Sequence, residues 1–224
     1  MTDRDDGRLA DAREALKTRL RTCGLNPDRT VLDALDAYYL LLARWTKRIN
    51  LTSLPLEAPT DATFDRLFIE PLFAADRLVP TEAVWFDFGS GGGSPAIPMK
   101  IWRSRSWLAM VESKSRKAAF LREAVRQLQM KNVEVLEKRF EVLADAARPI
   151  GPADLVTVRA VRPSVAVFQA ANDVLSPTGR IIIFGDAHVE QPVNFTPPEI
   201  VRFPTGTVQV FQKTDVPRGT KDLT

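Results

Sequence analysis

Apolar residues recur at helical spacing in the first part of the chain and at alternating spacing further on, and that change of period divides the sequence. Leu9, Ala12, Leu16 and Leu20 fall on one helical stripe that stops at Gly24. A second stripe, Val31, Leu32, Leu35, Tyr39, Leu42, Trp45 and Ile49, predicts a helix with one face that needs a partner surface. The turn-rich segment PLEAPTDATFD follows, and then a helical pattern over FDRLFIEPLFAADRL that Pro71 should bend or interrupt. Beyond it AVWFDFG, SWLAMVES, VEVLEKRF, ADLVTVRA and GRIIIFG are short β-type runs, with helical patterns between them in SRKAAFLREAVRQLQM and PSVAVFQAANDVL. Strands alternating with helices predict an α/β fold with a mostly parallel, doubly wound sheet. The stretch VRFPTGTVQVFQKT reads as two strands around a Thr-Gly turn, an antiparallel hairpin at the sheet edge. The expected organisation is a helical extension over 1–60 and an α/β domain over 61–224.

Length and composition narrow the functional classes. At 224 residues the chain can bury one full α/β core with a small appendage and is short for two ordinary domains. No run approaches the roughly 20 apolar residues of a membrane helix. The opening MTDRDDGRLADAR carries acids where a secretory signal needs a cationic and then an apolar stretch. A cytoplasmic protein with no membrane partner is therefore expected. Cys23 and His188 are the single residues of their types, so neither an internal disulfide nor a zinc site built from His and Cys is expected. The net charge of +3 permits an anionic partner such as RNA through a local patch without demanding one. Arg44, Lys47 and Arg48 crowd the end of the second predicted helix, where cations suit the helix dipole and can also meet phosphate.

The chemistry begins in VWFDFGSGGGSP, residues 84–95, where the first β-type run ends in an acid and breaks into glycines. Glycine after a strand marks a place where something comes close to the main chain. The first strand-to-helix loop is also where ligands bind in open α/β sheets. Asp87 precedes Gly89, Gly91 and Gly93, and Glu112 closes the next strand, where an acid can accept hydrogen bonds from ribose hydroxyls. A dinucleotide fingerprint is broken by Ser94 at its third glycine position, and no Gly-Lys-Ser/Thr follows to make a P-loop. An acid followed by G-x-G-x-G is instead the pattern of Rossmann-like enzymes that bind S-adenosylmethionine, a ligand without phosphate. The loop with Asp87, Gly89, Ser90, Gly91, Gly93 and Pro95 is the predicted cofactor site.

With RWTKRINLTS, FDFGSGGGSPAIPM, MVESKSRKAAFL, KRFE and VRA in this order, the chain resembles the bacterial small-subunit rRNA guanine-N7 methyltransferases, the glucose-inhibited division protein B family. The likeness runs from about Tyr38 to Gly185, and the Pro95–Pro98 element after the loop makes it specific. The resemblance implies a class I methyltransferase fold, S-adenosylmethionine held by the loop, Glu112 on the ribose, and Arg139, Phe140 and Glu141 near the adenine. It implies that Arg139 and Arg159 lie near the methyl donor and the RNA, as the candidate catalytic residues. It also implies a 16S rRNA or small-subunit partner; no metal is expected, and the chain is expected to act as a monomer. Arg48, Asn50, Arg66, Lys114, Arg116 and Lys117 are the further RNA-side candidates. The last three open a helix, where cations oppose the dipole and so favour phosphate contact. The alternative for Arg139 and Arg159 is a surface arginine paired with Glu141 or Asp154, since exposed pairs are common. The chain departs from the family pattern at Leu67, where histidine is usual, at Phe184, where lysine precedes the glycine, and at Ala96, in place of a glycine.

The residue types restrict the acceptor independently. Carbon-5 of cytosine needs a cysteine thiolate, and Cys23 lies far from every sheet loop in sequence. An exocyclic amine is commonly handled by an Asn/Asp-Pro-Pro-aromatic loop after the fourth strand, and VRAVRPSV stands there instead. Guanine N7 exposes a lone pair and loses no proton, so no general base is required. The same residues are compatible with a methyltransferase for another substrate, and with a cofactor-binding RNA- or ribosome-associated protein that has no activity.

Overall fold

The computed structural model describes residues 3–143, 151–189 and 192–214. The first helical stripe forms α1 (Asp3–Thr22), and the chain turns out of it at Gly24, whose φ of 78° is left-handed. The second forms α2 (Arg29–Thr46), started by Asp28, whose side chain accepts from the Val31 amide. Its buried face includes Tyr38 and Leu41, which the predicted stripe omitted, alongside Leu35, Tyr39 and Leu42. After α3 (Asp61–Phe64) the helix widens into π-helical turns over Asp65–Ile69 and resumes as α4 (Glu70–Leu78). The interruption expected at Pro71 thus lies just ahead of it. Pro71 has no N–H to give and its ring crowds the carbonyl four residues back, so the preceding turns open.

Strands β1 (Val84–Phe88), β2 (Trp107–Val111), β3 (Val133–Leu136), β4 (Ala153–Val158) and β5 (Leu175–Phe184) are parallel neighbours in the order β3-β2-β1-β4-β5. The predicted hairpin is present as β6 (Glu199–Phe203) and β7 (Gly206–Gln212), with β7 antiparallel to β5 and β6 at the edge. Its turn is Pro204-Thr205, and Gly206 already belongs to β7. The two helices predicted between strands appear as α6 (Ser115–Gln127) and α7 (Val165–Val174). A short helix over the Pro95–Pro98 element, α5 (Ala96–Trp102), was not signalled by any apolar stripe.

The alternation of the strands sorts the core into two layers. Trp85, Leu108, Met110, Leu155 and Ile182 face a thick layer that includes α1, α2, α4, α5 and α6. Phe86, Phe88, Ala109, Val111, Val156, Val158, Ile181 and Ile183 face a thinner one built on α7. The N-terminal helices therefore share a core with the sheet rather than standing beside it. Strand order reverses between β1 and β4, and the crevice outside their carboxyl ends is the topological switch point where α/β folds bind ligands.

Candidate functional site

The glycine loop leaves β1 at that switch point. Gly89, Gly91 and Gly93 all have positive φ, at 74°, 51° and 88°. Much of the close approach that the glycines permit comes from the protein itself. A Cβ on Gly89 would strike Val161, one on Gly92 the carbonyl of Leu51, and one on Gly93 the side chain of Ile97, while one on Gly91 would meet nothing nearer than 3.6 Å. The Tyr38 hydroxyl donates to the Gly92 carbonyl at 2.6 Å, so α2 is tied directly to the loop.

The loop amides are largely used within the chain. Those of Gly89 and Ser90 donate to the Val111 carbonyl, that of Gly93 to Ser90, and that of Gly91 to Glu112 Oε2 at 3.0 Å. The other Glu112 oxygen accepts from the Lys114 amide at 2.8 Å. A pyrophosphate needs free N–H groups at a helix start, and here Pro95 and Pro98, which carry none, flank the start of α5. This is a stronger ground against a dinucleotide than Ser94 alone. The loop suits a phosphate-free ligand that needs room beside the Gly91 backbone and a fixed carboxylate nearby.

Asp87 sits beneath the loop. It shares the register position of Thr157, whose hydroxyl donates to Oδ1 at 2.6 Å, while Oδ2 has no partner. Burial raises its pKa to about 6 against the pull of Ser90, Thr157 and Arg159. Its backbone carbonyl accepts from the Ser90 hydroxyl at 3.0 Å, which ties the end of β1 to the loop.

A cavity of about 450 Å³ opens between the loop and the N-terminal segment. Gly89, Ser90 and Gly91 line it, together with Asn50, Arg66, Lys117 and Arg159. The sequence reading missed much of the rest of the wall, including Tyr38, Thr52, Ser53, Leu67, Ser94 and Ala160. Gly93, Pro95, Glu112, Arg48, Lys114 and Arg116 do not line it. Neither do Arg139, Phe140 and Glu141, which follow β3 in the chain and fold back toward β1, where Phe140 stacks on Phe88 at 5.2 Å between centroids. There the Arg139 guanidinium pairs with Glu141 at 2.7 Å and is 74% exposed, the local pairing that the sequence offered as an alternative.

Arg159 does not fit either expected partner. It follows β4, its side chain is 8% exposed, and it pairs at 2.7 Å with Glu70 rather than with Glu141 or Asp154. Asp154 instead accepts from the Val84 amide. Arg159 Nη1 donates to the Arg66 carbonyl and, at 3.2 Å, to the Ser94 hydroxyl. Its guanidinium lies 4.2 Å from the centre of the Phe184 ring. Burial lowers its pKa to about 10, partly offset by Glu70, so it remains a cation at neutral pH. The widened helix explains these contacts. With Pro71 unable to donate, the Arg66 and Leu67 carbonyls are free, and Arg159 and Ser94 bind them, Ser94 Oγ lying 3.1 Å from the Leu67 oxygen. Two departures from the family pattern are thus built into this cluster. Phe184 gives Arg159 an aromatic face, where a lysine would repel it, and Leu67 is buried.

Among the described residues, no group of three or more His, Cys, Asp or Glu side chains is placed to hold a metal, and no helix is long and apolar enough to cross a membrane.

A parallel sheet with a glycine loop at its switch point and an antiparallel hairpin on the edge defines a class I methyltransferase fold. The structure is similar to yhhF of Escherichia coli, with a TM-score of 0.51 at 15% identity over 64% of this chain and 83% of that one. It is also similar to a mutant of MtNAS, with a TM-score of 0.53 at 16% identity over 83% and 74%. At those identities the likeness shows the fold alone. The family model for rRNA small subunit methyltransferase G, GidB, matches residues 31–201, and the chain belongs to that family. Relatives named ribosomal RNA small subunit methyltransferase G are 34% identical in Xanthomonas axonopodis pv. citri, over 80% of this chain and 79% of the relative, and 32% identical in Neisseria meningitidis serogroup C, over 92% and 93%.

Proposed function

We propose that this protein is an S-adenosylmethionine-dependent methyltransferase that modifies N7 of a guanine in the 16S rRNA of the small ribosomal subunit. The observation that carries the reading is the cavity at the switch point. It joins a phosphate-free type of glycine loop to Arg66, Lys117, Arg159 and Asn50, and offers no general base. Tyr38, its buried phenol, has a pKa pushed well above the ordinary range and cannot take a proton. Guanine N7 asks for none.

When bound, the cofactor supplies an electrophilic methyl group on a sulfonium. Passed to the N7 lone pair, that methyl group would leave its bonding electron pair on sulfur and the positive charge on the guanine. The chain's task is then alignment, which can be worth several kcal/mol. In this reading Gly89, Ser90, Gly91, Gly93 and Pro95 shape the backbone seat, with Asp87 beneath it. Glu112 meets the ribose, and Arg139, Phe140 and Glu141 border the adenine. Arg159 lies beside the acceptor guanine, and Arg48, Asn50, Arg66, Lys114, Arg116 and Lys117 meet the RNA. A guanine N7 is unreadable deep in an A-form groove, so the target is an accessible or extruded base.

The test is methyl transfer from labelled S-adenosylmethionine to small subunits from a strain lacking the N7 methyltransferase, followed by mapping of the label. Label on a single guanine N7 is expected. Cofactor binding without label would replace the reading with a different substrate or a binder without activity.

A further inference from the structure

The proposed chemistry leaves Glu70 without a role. It opens α4 with its side chain 4% exposed, and burial raises its pKa against the pull of Arg159 and Arg66. Its Oε2 holds Arg159 Nη2 at 2.7 Å and stands 3.4 Å from Arg66 Nη1. On the other side it is wedged against the start of β7, where a Cβ on Gly206 would come within 2.6 Å of Oε1. The carboxylate therefore has little freedom to move away from Arg159. The guanidinium is held from further directions by Phe184, the Ser94 hydroxyl and the Arg66 carbonyl. Its Nε–H is left with no protein partner. A carboxylate needed only to neutralise an arginine could do so from solvent at far lower desolvation cost. Clamping of this kind fixes where a guanidinium stands in a cavity wall.

We infer that Glu70 is a positioning residue for methyl transfer, acting through Arg159 by holding its guanidinium on the Phe184 ring at the wall of the cavity. The inference rests on the proposed transfer to a guanine, and adds a residue that touches neither cofactor nor base. A misplacement of about 1 Å can cost roughly 10²-fold in rate, so removing the carboxylate charge should act on turnover rather than on binding.

The experiment is a double-mutant cycle on the full chain, with Glu70→Gln, Arg159→Met and the pair, assayed on small subunits lacking the N7 methyl group. Calorimetric titration with the cofactor counts the folded sites in each variant. Glu70→Gln should lower kcat about 10²-fold, with KM for the subunit and cofactor Kd within about twofold. In the Arg159→Met background the same change should cost less than about twofold, since coupled residues are not additive. Glu70→Asp should recover part of the turnover. An unchanged kcat, equal losses in both backgrounds, or a loss of cofactor sites in step with activity would overturn the role. If Glu70→Gln does not fold, Phe184→Leu, which strands no charge, carries the same expectation of lower kcat at constant cofactor Kd and non-additivity with Arg159→Met. A parent chain that leaves the subunits unlabelled overturns the proposed function and this role together, whereas a labelling parent with additive losses overturns this role alone.

Discussion

Arg139–Glu141 and Arg159–Glu70 are each closed at 2.7 Å, the first away from the cavity and the second with its arginine in the cavity wall. The first joins side chains two residues apart that are 74% and 31% exposed. The second joins the loop after β4 to α4 across the fold, with side chains 8% and 4% exposed. Equal separation conceals unequal dependence on the partner. Beside water either member of the outer pair can be resolvated when the other is lost, and salt screens what attraction remains. Inside, each ion has given up its hydration and relies on its partner. The outer pair is therefore free to exchange partners with a ligand, while the inner one belongs to the architecture of the cavity.

Cutting each pair tests this contrast. The largest effect should come from Arg159→Ala, which strands the Glu70 carboxylate and should destabilise the chain by about 3–5 kcal/mol in urea unfolding. It should also reduce methylation of small subunits while leaving cofactor affinity nearly unchanged in the folded fraction. Next comes Asp87, another buried acid of the region. Its folded pKa is raised from 3.8 to about 6, so the folded chain binds more protons than the unfolded one between those values, and stability falls as pH rises through that window. Relative to Asp87→Asn, the parent should lose on the order of 3 kcal/mol between pH 4 and pH 7 in cofactor-free unfolding curves. A flat difference would mean that Asp87 keeps its charge throughout. The smallest effect belongs to Arg139→Ala, which should leave the melting temperature unchanged and lower methylation less than Arg159→Ala does. Equal losses of stability at the two arginines would end the contrast.

What could be read along the chain follows from local period. The strands, the helices between them and the edge hairpin are visible because residues two or four apart share a face, and that signal needs no partner. The glycine loop and Glu112 are legible for a similar reason, since a strand, a turn and an acid follow one another at short range. Glu70 and Tyr38 are not. In sequence Glu70 is one acid in an amphipathic helix, and its burial depends on the widened turn before Pro71 and on an arginine 89 residues away. Tyr38 gains its role from a carbonyl 54 residues away. Gly92 looks like one more ligand-facing glycine, and only packing shows that Leu51 stands where its side chain would be. Phe184 and Leu67 read as losses of polar groups, because the arginine and serine that use that space come from other elements.

The bond from Tyr38 to Gly92 bears on how such a cavity can change over generations. One wall comes from α2 and the segment that follows it, around Asn50, Thr52 and Ser53, and the other from the glycine loop, with the Tyr38 phenol fastening α2 to the loop. A substitution that reshapes the first wall for a different base pulls on the loop as well. Drift in substrate preference should therefore travel with compensating changes near the loop, and laboratory evolution toward a new acceptor should recover mutations on both sides of that bond.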